Sequence, residues 1–497
     1  MELFYRSTRN EKVMLTASEA ILKGLSDEGG LFVPEWIPSL DVTLSELSGM
    51  NYQETAYAVM KQFFTDFTEE ELRNCIRQAY DEKFDTEVIA PIAKVDGVYY
   101  LELFHGPTIA FKDMALSILP YLMTTAAKKH HVTDKIVILT ATSGDTGKAA
   151  LAGFADVEGT RIIVFYPKGG VSDVQRLQMV TQKGHNTAVV AIHGNFDEAQ
   201  SGVKKMFEDP TLKSDLKKAG FQFSSANSIN IGRLVPQIVY YVYTYGVLLK
   251  NGEIEEGEPI NVVVPTGNFG NILAAYFAKE MGIPISKLIC ASNENKVLFD
   301  FFRTGTYDKN REFVLTEAPS MDILISSNLE RLIYLISGRN ERINRKLMEE
   351  LKEKGSYSIT DEMKKTLSDF VSGYASADEM KKAIHDTFEN TGYVMDTHTA
   401  VAAAVYEAYR RDCKDETKTV IASTASPYKF AGSVLRAIRP GEYESQEGIE
   451  LADELSGLSG TEIPKAVEEI RNTKILHTRE CDVAKMEDTV REILGLR

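Results

Sequence analysis

Between residues 135 and 293 short, unbroken apolar runs alternate with amphipathic stretches. The runs are 135-KIVILTAT-142, 161-RIIVFYP-167, 187-TAVVAIHG-194, 221-FQFSSANS-228, 261-NVVVP-265 and 287-KLICASN-293. The stretches between them carry helical periodicity: 147-GKAALAGFA-155, 172-SDVQRLQMV-180, 196-FDEAQSGVKKMF-207, 232-GRLVPQIVYYVYTYG-246 and 270-GNILAAYFAKEMG-282. Strand–helix alternation predicts parallel sheets covered by helices, and strands buried on both faces read as continuous apolar runs. Residues 1–92 differ. Their apolar positions recur at helical spacing in 15-LTASEAILKGL-25 and 51-NYQETAYAVMKQFF-64, separated by the turn-rich 26-SDEGGLFVPEWIP-38. From about 320 to 390 the chain turns charged and helical, as in 321-MDILISSNLERLIYLI-336 and 341-ERINRKLMEELKEKG-355. The alternating pattern resumes at 418-KTVIASTASPYKF-430. The stretch 438–460 reads as a surface connector before a last helix at 482–495. The expected division is a mostly helical N-terminal domain (1–92), an α/β domain (93–230) and a larger α/β domain (231–497) with a helical insertion near 320–390.

Composition narrows the function classes. The 497 residues carry 56 Lys and Arg against 72 Asp and Glu, a net charge of −16. Such a chain is no general nucleic-acid binder, because phosphate neutralisation needs a basic field. Four cysteines without a C-x-x-C pair give neither a common zinc site nor a disulfide framework, and no metal is expected. A reducing, cytoplasmic compartment is the simpler expectation. The N-terminus is charged from its second residue and lacks the apolar core of a signal peptide. The most apolar helix candidate, 234–249, contains Pro236 and Gln237 and is short for a membrane span, so no membrane association is expected.

Three features are candidates for chemistry. The stretch 104-FHGPTIAFKDMA-115 sets Lys112 between an aromatic residue and an acid, just ahead of an apolar helix. A lone lysine is commonly a salt-bridge partner. A catalytic one forms a Schiff base with an aldehyde cofactor, and desolvation frees its neutral amine. Two glycine loops each join a strand to a helix, where free backbone N–H groups and the helix dipole favour an anion. The first, 142-TSGDTGKAA-150, has two residues between Gly144 and Gly147 where a P-loop needs four before its Gly-Lys, and Ala149 follows Lys148, so an NTPase is excluded. It remains either a carboxylate or phosphate site or a tight turn capped by Ser143 and Asp145. The second, 265-PTGNFGNILAAYF-277, lacks the dinucleotide G-x-G-x-x-G; its glycines permit close backbone approach and it contains no acid. One lysine and two such loops match the needs of pyridoxal phosphate (PLP): an amine for its aldehyde, an anion cradle and a partner for its ring nitrogen.

The stretches 104-FHGPTIAFKDMA-115, 142-TSGDTG-147, 227-NSINIGRLVPQIVYY-241, 265-PTGNFGN-271 and 423-STASPYKF-430 resemble the motifs of threonine synthases, as do 6-RSTRN-10 and 23-KGLSDEGGLFVPE-35. The resemblance runs the length of the chain in the family's order. The tract 318-APSMDILISSNLERLIY-334 is similar to that of the long members. The resemblance implies the tryptophan-synthase-β-like fold (PLP fold type II), with two parallel-sheet α/β domains and a mostly helical N-terminal domain. It implies that Lys112 carries PLP, that Gly267, Asn268, Phe269, Gly270 and Asn271 cradle its phosphate, and that Thr424 hydrogen-bonds the pyridine nitrogen. It assigns Ser143, Gly144, Asp145 and Thr146 to the substrate carboxylate, and Asn227, Asn230 and Arg233 to the substrate phosphate. Asn227 and Asn230 are equally caps for the helix that follows. His105 and Asp113 have a bland role in the turn before Lys112, and His398 one at a helix start. Two departures are noted: Gly232 in 231-IGR-233, where long members often have an aromatic and Ala-Arg, and Ser426 where His is frequent. The implied activity is PLP-dependent conversion of O-phospho-L-homoserine and water to L-threonine and phosphate, by a monomer or homodimer. The alternatives are a catabolic phospho-lyase or serine/threonine dehydratase on the same fold, and a non-catalytic anion-binding protein.

Overall fold

The apolar runs form two separate sheets in the computed structural model, which describes residues 2–142 and 144–496. The larger sheet has the order Phe370–Tyr374, Ile285–Ser292, Ile260–Pro265, Thr419–Ser423, Val98–Glu102, Ile92–Val95. All its pairings are parallel except the last, an antiparallel hairpin at the edge. The smaller, five-stranded sheet is wholly parallel: Arg479–Asp482, Thr187–His193, Thr160–Pro167, Lys135–Ala141, Phe221–Ser224. The central strand Ile260–Pro265 is buried at every position, as a strand covered on both faces must be. The fold is therefore α/β with two parallel sheets, preceded by a mostly helical N-terminal region whose first strands, Tyr5–Ser7, Met14–Leu15 and Phe32–Pro34, form a small antiparallel sheet.

The N-terminal helices are written clearly in the sequence. Thr16, Asn51 and Thr68 each open a capping box with a glutamate three residues on, giving Ala17–Lys23, Tyr52–Phe63 and Glu69–Ala79. The long helix Ile231–Lys250 accommodates Pro236 in its second turn and is buried along nearly its whole length. It is a core helix, and among the described residues no helix is long and apolar enough to cross a membrane.

Sheet membership departs from the expected division. The strand Val98–Glu102 lies in the larger sheet, although it falls in the expected middle domain. Arg479–Asp482 crosses back to complete the smaller one. The charged stretch near 320–390 is not only helical: it supplies the edge strand Phe370–Tyr374 and the short strand Ser356–Ser358, which pairs antiparallel with the distant Thr306–Asp308. The helix expected at 321–336 begins only at Leu329, because Ser326, Ser327 and Asn328 are engaged with the second glycine loop. The expected connector 438–460 contains the helix Leu451–Ser459.

Candidate active site

The residues before Lys112 run beside the end of the strand Thr419–Ser423. Leu103 N–H donates to Ser423 O (3.0 Å), Phe111 N–H to Thr424 O (2.8 Å) and Ser426 N–H to Ile109 O (3.0 Å). Ile109 holds a left-handed backbone (φ 52°), unusual for a β-branched residue and tolerated where surroundings enforce it. Asp113 enforces the turn: its carboxylate accepts Thr108 N–H (2.8 Å) and Thr108 Oγ1–H (2.6 Å) and lies against Gly106, where a Cβ would stand 2.5 Å from that of Asp113. His105 bonds Asp85 (2.6 Å) and Glu102 (3.0 Å), and these carboxylates outweigh burial and hold its pKa up at about 9. Both residues fix the turn.

Lys112 Nζ lies 3.2 Å from Asp145 Oδ2 and 3.2 Å from Ser320 Oγ. Burial drives its pKa below the usual lysine value; Asp145 opposes this, while the charges of Lys429 and Arg233 add to the lowering. Asp145 opens the helix Asp145–Phe154 and gathers four donors. Oδ1 accepts from Lys429 Nζ (2.9 Å) and Gln175 Nε2 (2.9 Å); Oδ2 accepts from Ser320 Oγ (2.8 Å) and Lys112. Burial alone would raise this carboxyl's pKa, but Lys429 and Lys112 hold it well below the usual carboxylate range. Ser320 is fixed in turn by its N–H to His398 Nε2 (3.1 Å), and His398 Nδ1 donates to Asp396 Oδ2 (2.6 Å). Asp396 also caps the helix Thr397–Cys413, so the helix-start reading of His398 holds and a contact to Ser320 is added.

The second glycine loop meets this cluster through Ser320. A Cβ at Gly267 would stand 2.6 Å from Ser320 O, so only glycine fits. Phe269 takes a left-handed backbone (φ 64°) and stacks its buried ring 6.0 Å from Phe302 and 6.0 Å from Phe370. Its side chain anchors the loop. The helix Gly270–Glu280 starts with no side-chain cap, its first backbone bond within the helix running from Leu273 N–H to Phe269 O. The N–H groups of Gly270, Asn271 and Ile272 are thus open. The Asn271 Oδ1 accepts Tyr240 OH (2.7 Å) and Tyr241 OH, while its buried Nδ2 has no partner among the described residues.

Three family models match the chain: "Threonine synthase N terminus" over residues 4–80, "Pyridoxal-phosphate dependent enzyme" over 85–425 and "Threonine synthase, C-terminal" over 399–480. The threonine synthase of Saccharomyces cerevisiae is 35% identical over 487 residues, covering 92% of this chain and 93% of that protein. The chain belongs to the threonine synthase family. The Homo sapiens "Threonine synthase-like 1" is 39% identical over 448 residues, which cover 87% of this chain but 59% of that longer protein. Two solved threonine synthases superpose along 99% of both chains: the PLP-bound Brucella melitensis protein (TM-score 0.86, 33% identity) and the yeast protein (TM-score 0.88, 31% identity).

The threonine synthase family is PLP-dependent, and the residues present fit that cofactor. An open helix start, a glycine packed too close to the Ser320 backbone to carry a Cβ, and a buried amide without a described partner suit a phosphate, with a desolvated lysine nearby. Thr424 is buried beside Phe111, and its hydroxyl engages none of the described side chains. Gly144 and Thr146 line the first loop with Asp145, whereas Ser143 lies outside the described residues. Asn230 is a cap: Oδ1 accepts Gly232 N–H (2.9 Å), and Nδ2 donates to Ile21 O (3.0 Å) and Ser225 O (3.1 Å), so both of its donors are engaged by backbone. Asn227 accepts from Thr140 Oγ1 (3.3 Å). Arg233 donates to Ala226 O (2.9 Å), its Nε has no partner among the described residues, and burial drives its pKa down to about 10. The sequence reading missed Lys429, Gln175 and Ser320 as site residues. Lys429 lies inside 423-STASPYKF-430, where a second lysine next to an aromatic was the available signal.

Proposed function

We propose that this chain is a threonine synthase in activity, converting O-phospho-L-homoserine and water to L-threonine and phosphate. The observation that carries the proposal is the desolvated Lys112 amine, set against the Asp145 carboxylate, with the buried Arg233 near enough for its charge to act on Lys112. PLP, when bound, supplies the electron sink that makes the protons on the substrate's α and β carbons removable. The chain's residues do the rest. Gly267, Asn271 and the open amides of Gly270 and Ile272 hold the cofactor phosphate. The Thr424 hydroxyl meets the ring nitrogen as a weak partner that does not force its protonation. Burial favours the neutral Lys112 amine, which can then take a proton from carbon and return it. Asp145 stays ionised between two lysines and orients Lys112. Arg233 offers its free Nε–H to the substrate phosphate and steadies the charge that grows as phosphate leaves. Burial of the whole cluster keeps bulk water from the reacting carbons, so that water enters at one step.

The test is one incubation of cofactor-loaded protein with O-phospho-L-homoserine, assaying phosphate and amino acid together. Equal amounts of phosphate and threonine are expected. Phosphate with 2-ketobutyrate would make the chain a phospho-lyase, and no phosphate at all would overturn catalysis on this substrate.

A further inference from the structure

Among the described residues Arg331 is the largest fully buried side chain, and it makes no ion pair. Its Nε–H donates to Phe32 O (2.9 Å), Nη1 donates to Asn328 Oδ1 and Nη2 to Ile229 O, all neutral acceptors. The neighbouring carboxylate, Glu330, is taken by Arg9 in a two-pronged pair (2.6 and 2.8 Å) and by Thr8 Oγ1 (2.6 Å). Burial pushes the Arg331 guanidinium down to about 9. The Glu330 carboxylate opposes that lowering but is bonded to Arg9 and Thr8, so the buried Arg331 charge is met by neutral acceptors and by Glu330 only at a distance, an arrangement that burial makes costly.

Asn328 shows where the charge is directed. Its Oδ1 faces Arg331, while its Nδ2 and backbone N–H both donate to Asn268 O, at 3.0 Å each, inside the second glycine loop. The segment 265-PTGNFGN-271 contains no lysine or arginine. The helix start it leads into offers only about half a positive charge, against a phosphate that carries up to two negative ones. We infer that Arg331 is a positioning residue for the cofactor: it polarises and orients Asn328, which holds the glycine loop, and sets behind that loop a positive charge that the loop itself lacks, so favouring a phosphorylated ligand. The inference rests on the assignment of the second loop to the cofactor phosphate. A purely structural Arg331 would instead be a clamp joining Phe32, Ile229 and Asn328.

The experiment compares two aldehydes on cofactor-stripped protein: PLP and pyridoxal, which lacks the phosphate. Binding is read by absorbance and fluorescence titration rather than by turnover. Arg331→Gln is expected to raise the dissociation constant for PLP about tenfold while changing that for pyridoxal by no more than about twofold. Arg331→Lys, which keeps the charge, is expected to retain most of the preference for PLP. Equal weakening of both aldehydes by Arg331→Gln would overturn the inference and leave the clamp. Should Arg331→Gln not fold, Asn328→Ala cuts the same link: a reduced PLP preference supports the inference and an unchanged one overturns it. Gly267→Ala separates the two levels. If it leaves the PLP preference intact, the loop assignment fails and takes the inference with it. If it lowers the preference while Arg331→Gln does not, the inference alone fails.

Discussion

The two glycine loops share one plan, a parallel strand, a glycine turn and a helix, and end in opposite electrostatic states. In the first, Thr142 Oγ1 accepts the amides of Gly144 (3.0 Å) and Gly147 (2.9 Å), and Asp145 places a carboxylate at the helix start. That carboxylate is saturated by Lys112, Lys429, Gln175 and Ser320. In the second, no described side chain accepts the helix-start amides, the loop contains no acid, and the Asn271 amide has no partner among the described residues. The first loop answers its own helix dipole with its own anion. On the proposed function, the second leaves that place for the cofactor phosphate. An anion site is recognised by the donors that remain unsatisfied, and glycine spacing alone does not separate the two.

Lys112 stands between the loops, bonded to Asp145 of the first and to Ser320, which backs Gly267 of the second. Its loss has the largest expected effect. Lys112→Ala should abolish covalent capture of the cofactor and lower turnover at least about 1,000-fold, read by absorbance and by phosphate release. Next, Asp145→Asn keeps the shape of the first loop but removes its anion. It should lower kcat about 10- to 100-fold while leaving PLP affinity within about threefold, since the first loop does not hold that phosphate. The same variant carries a pH signature. The folded-state pKa of Asp145 lies below its unfolded value, so its stabilising contribution is present above about pH 4 and is lost as pH falls through the folded value. Wild type should therefore lose stability below about pH 4 more steeply than Asp145→Asn, measured by thermal melts across that range. Gly267→Ala should weaken PLP binding about tenfold, because the added Cβ meets backbone at Ser320. The smallest effect belongs to Thr142→Val. Loss of the Oγ1 acceptor should lower stability by about 1–2 kcal/mol in denaturant titrations, with the relative affinity for PLP and pyridoxal unchanged.

Much of this was legible in the chain. The central strands announced themselves because strands buried on both faces need unbroken apolar runs, and Ile260–Pro265 and Lys135–Ala141 have them. The polar strand Arg479–Asp482 carries no such run, because it forms an edge and is mostly exposed. Phe370–Tyr374 was hidden in a charged stretch because it too is an edge strand, and is only partly buried. Lys112 stood out through its aromatic and acidic neighbours and the turn before it. Its partners did not, because Ser320, Gln175 and Lys429 lie far apart in sequence and meet only when the two sheets pack. The Ser326–Asn328 turn interrupts a helical pattern because its polar groups bond to the second loop, a demand that periodicity cannot register. Asn230 shows the converse: a cap before a helix was an equal alternative to a phosphate contact, and the hydrogen bonds of its amide are those of a cap.

The most direct test of the contrast is a crystal structure of the PLP-loaded protein, read for the position of the phosphorus atom. The account predicts it within hydrogen-bonding reach of the amides of Gly270, Asn271 and Ile272, with the cofactor joined to Lys112. A phosphate seated on the turn at Gly144–Gly147, displacing Asp145 from its lysines, would contradict it.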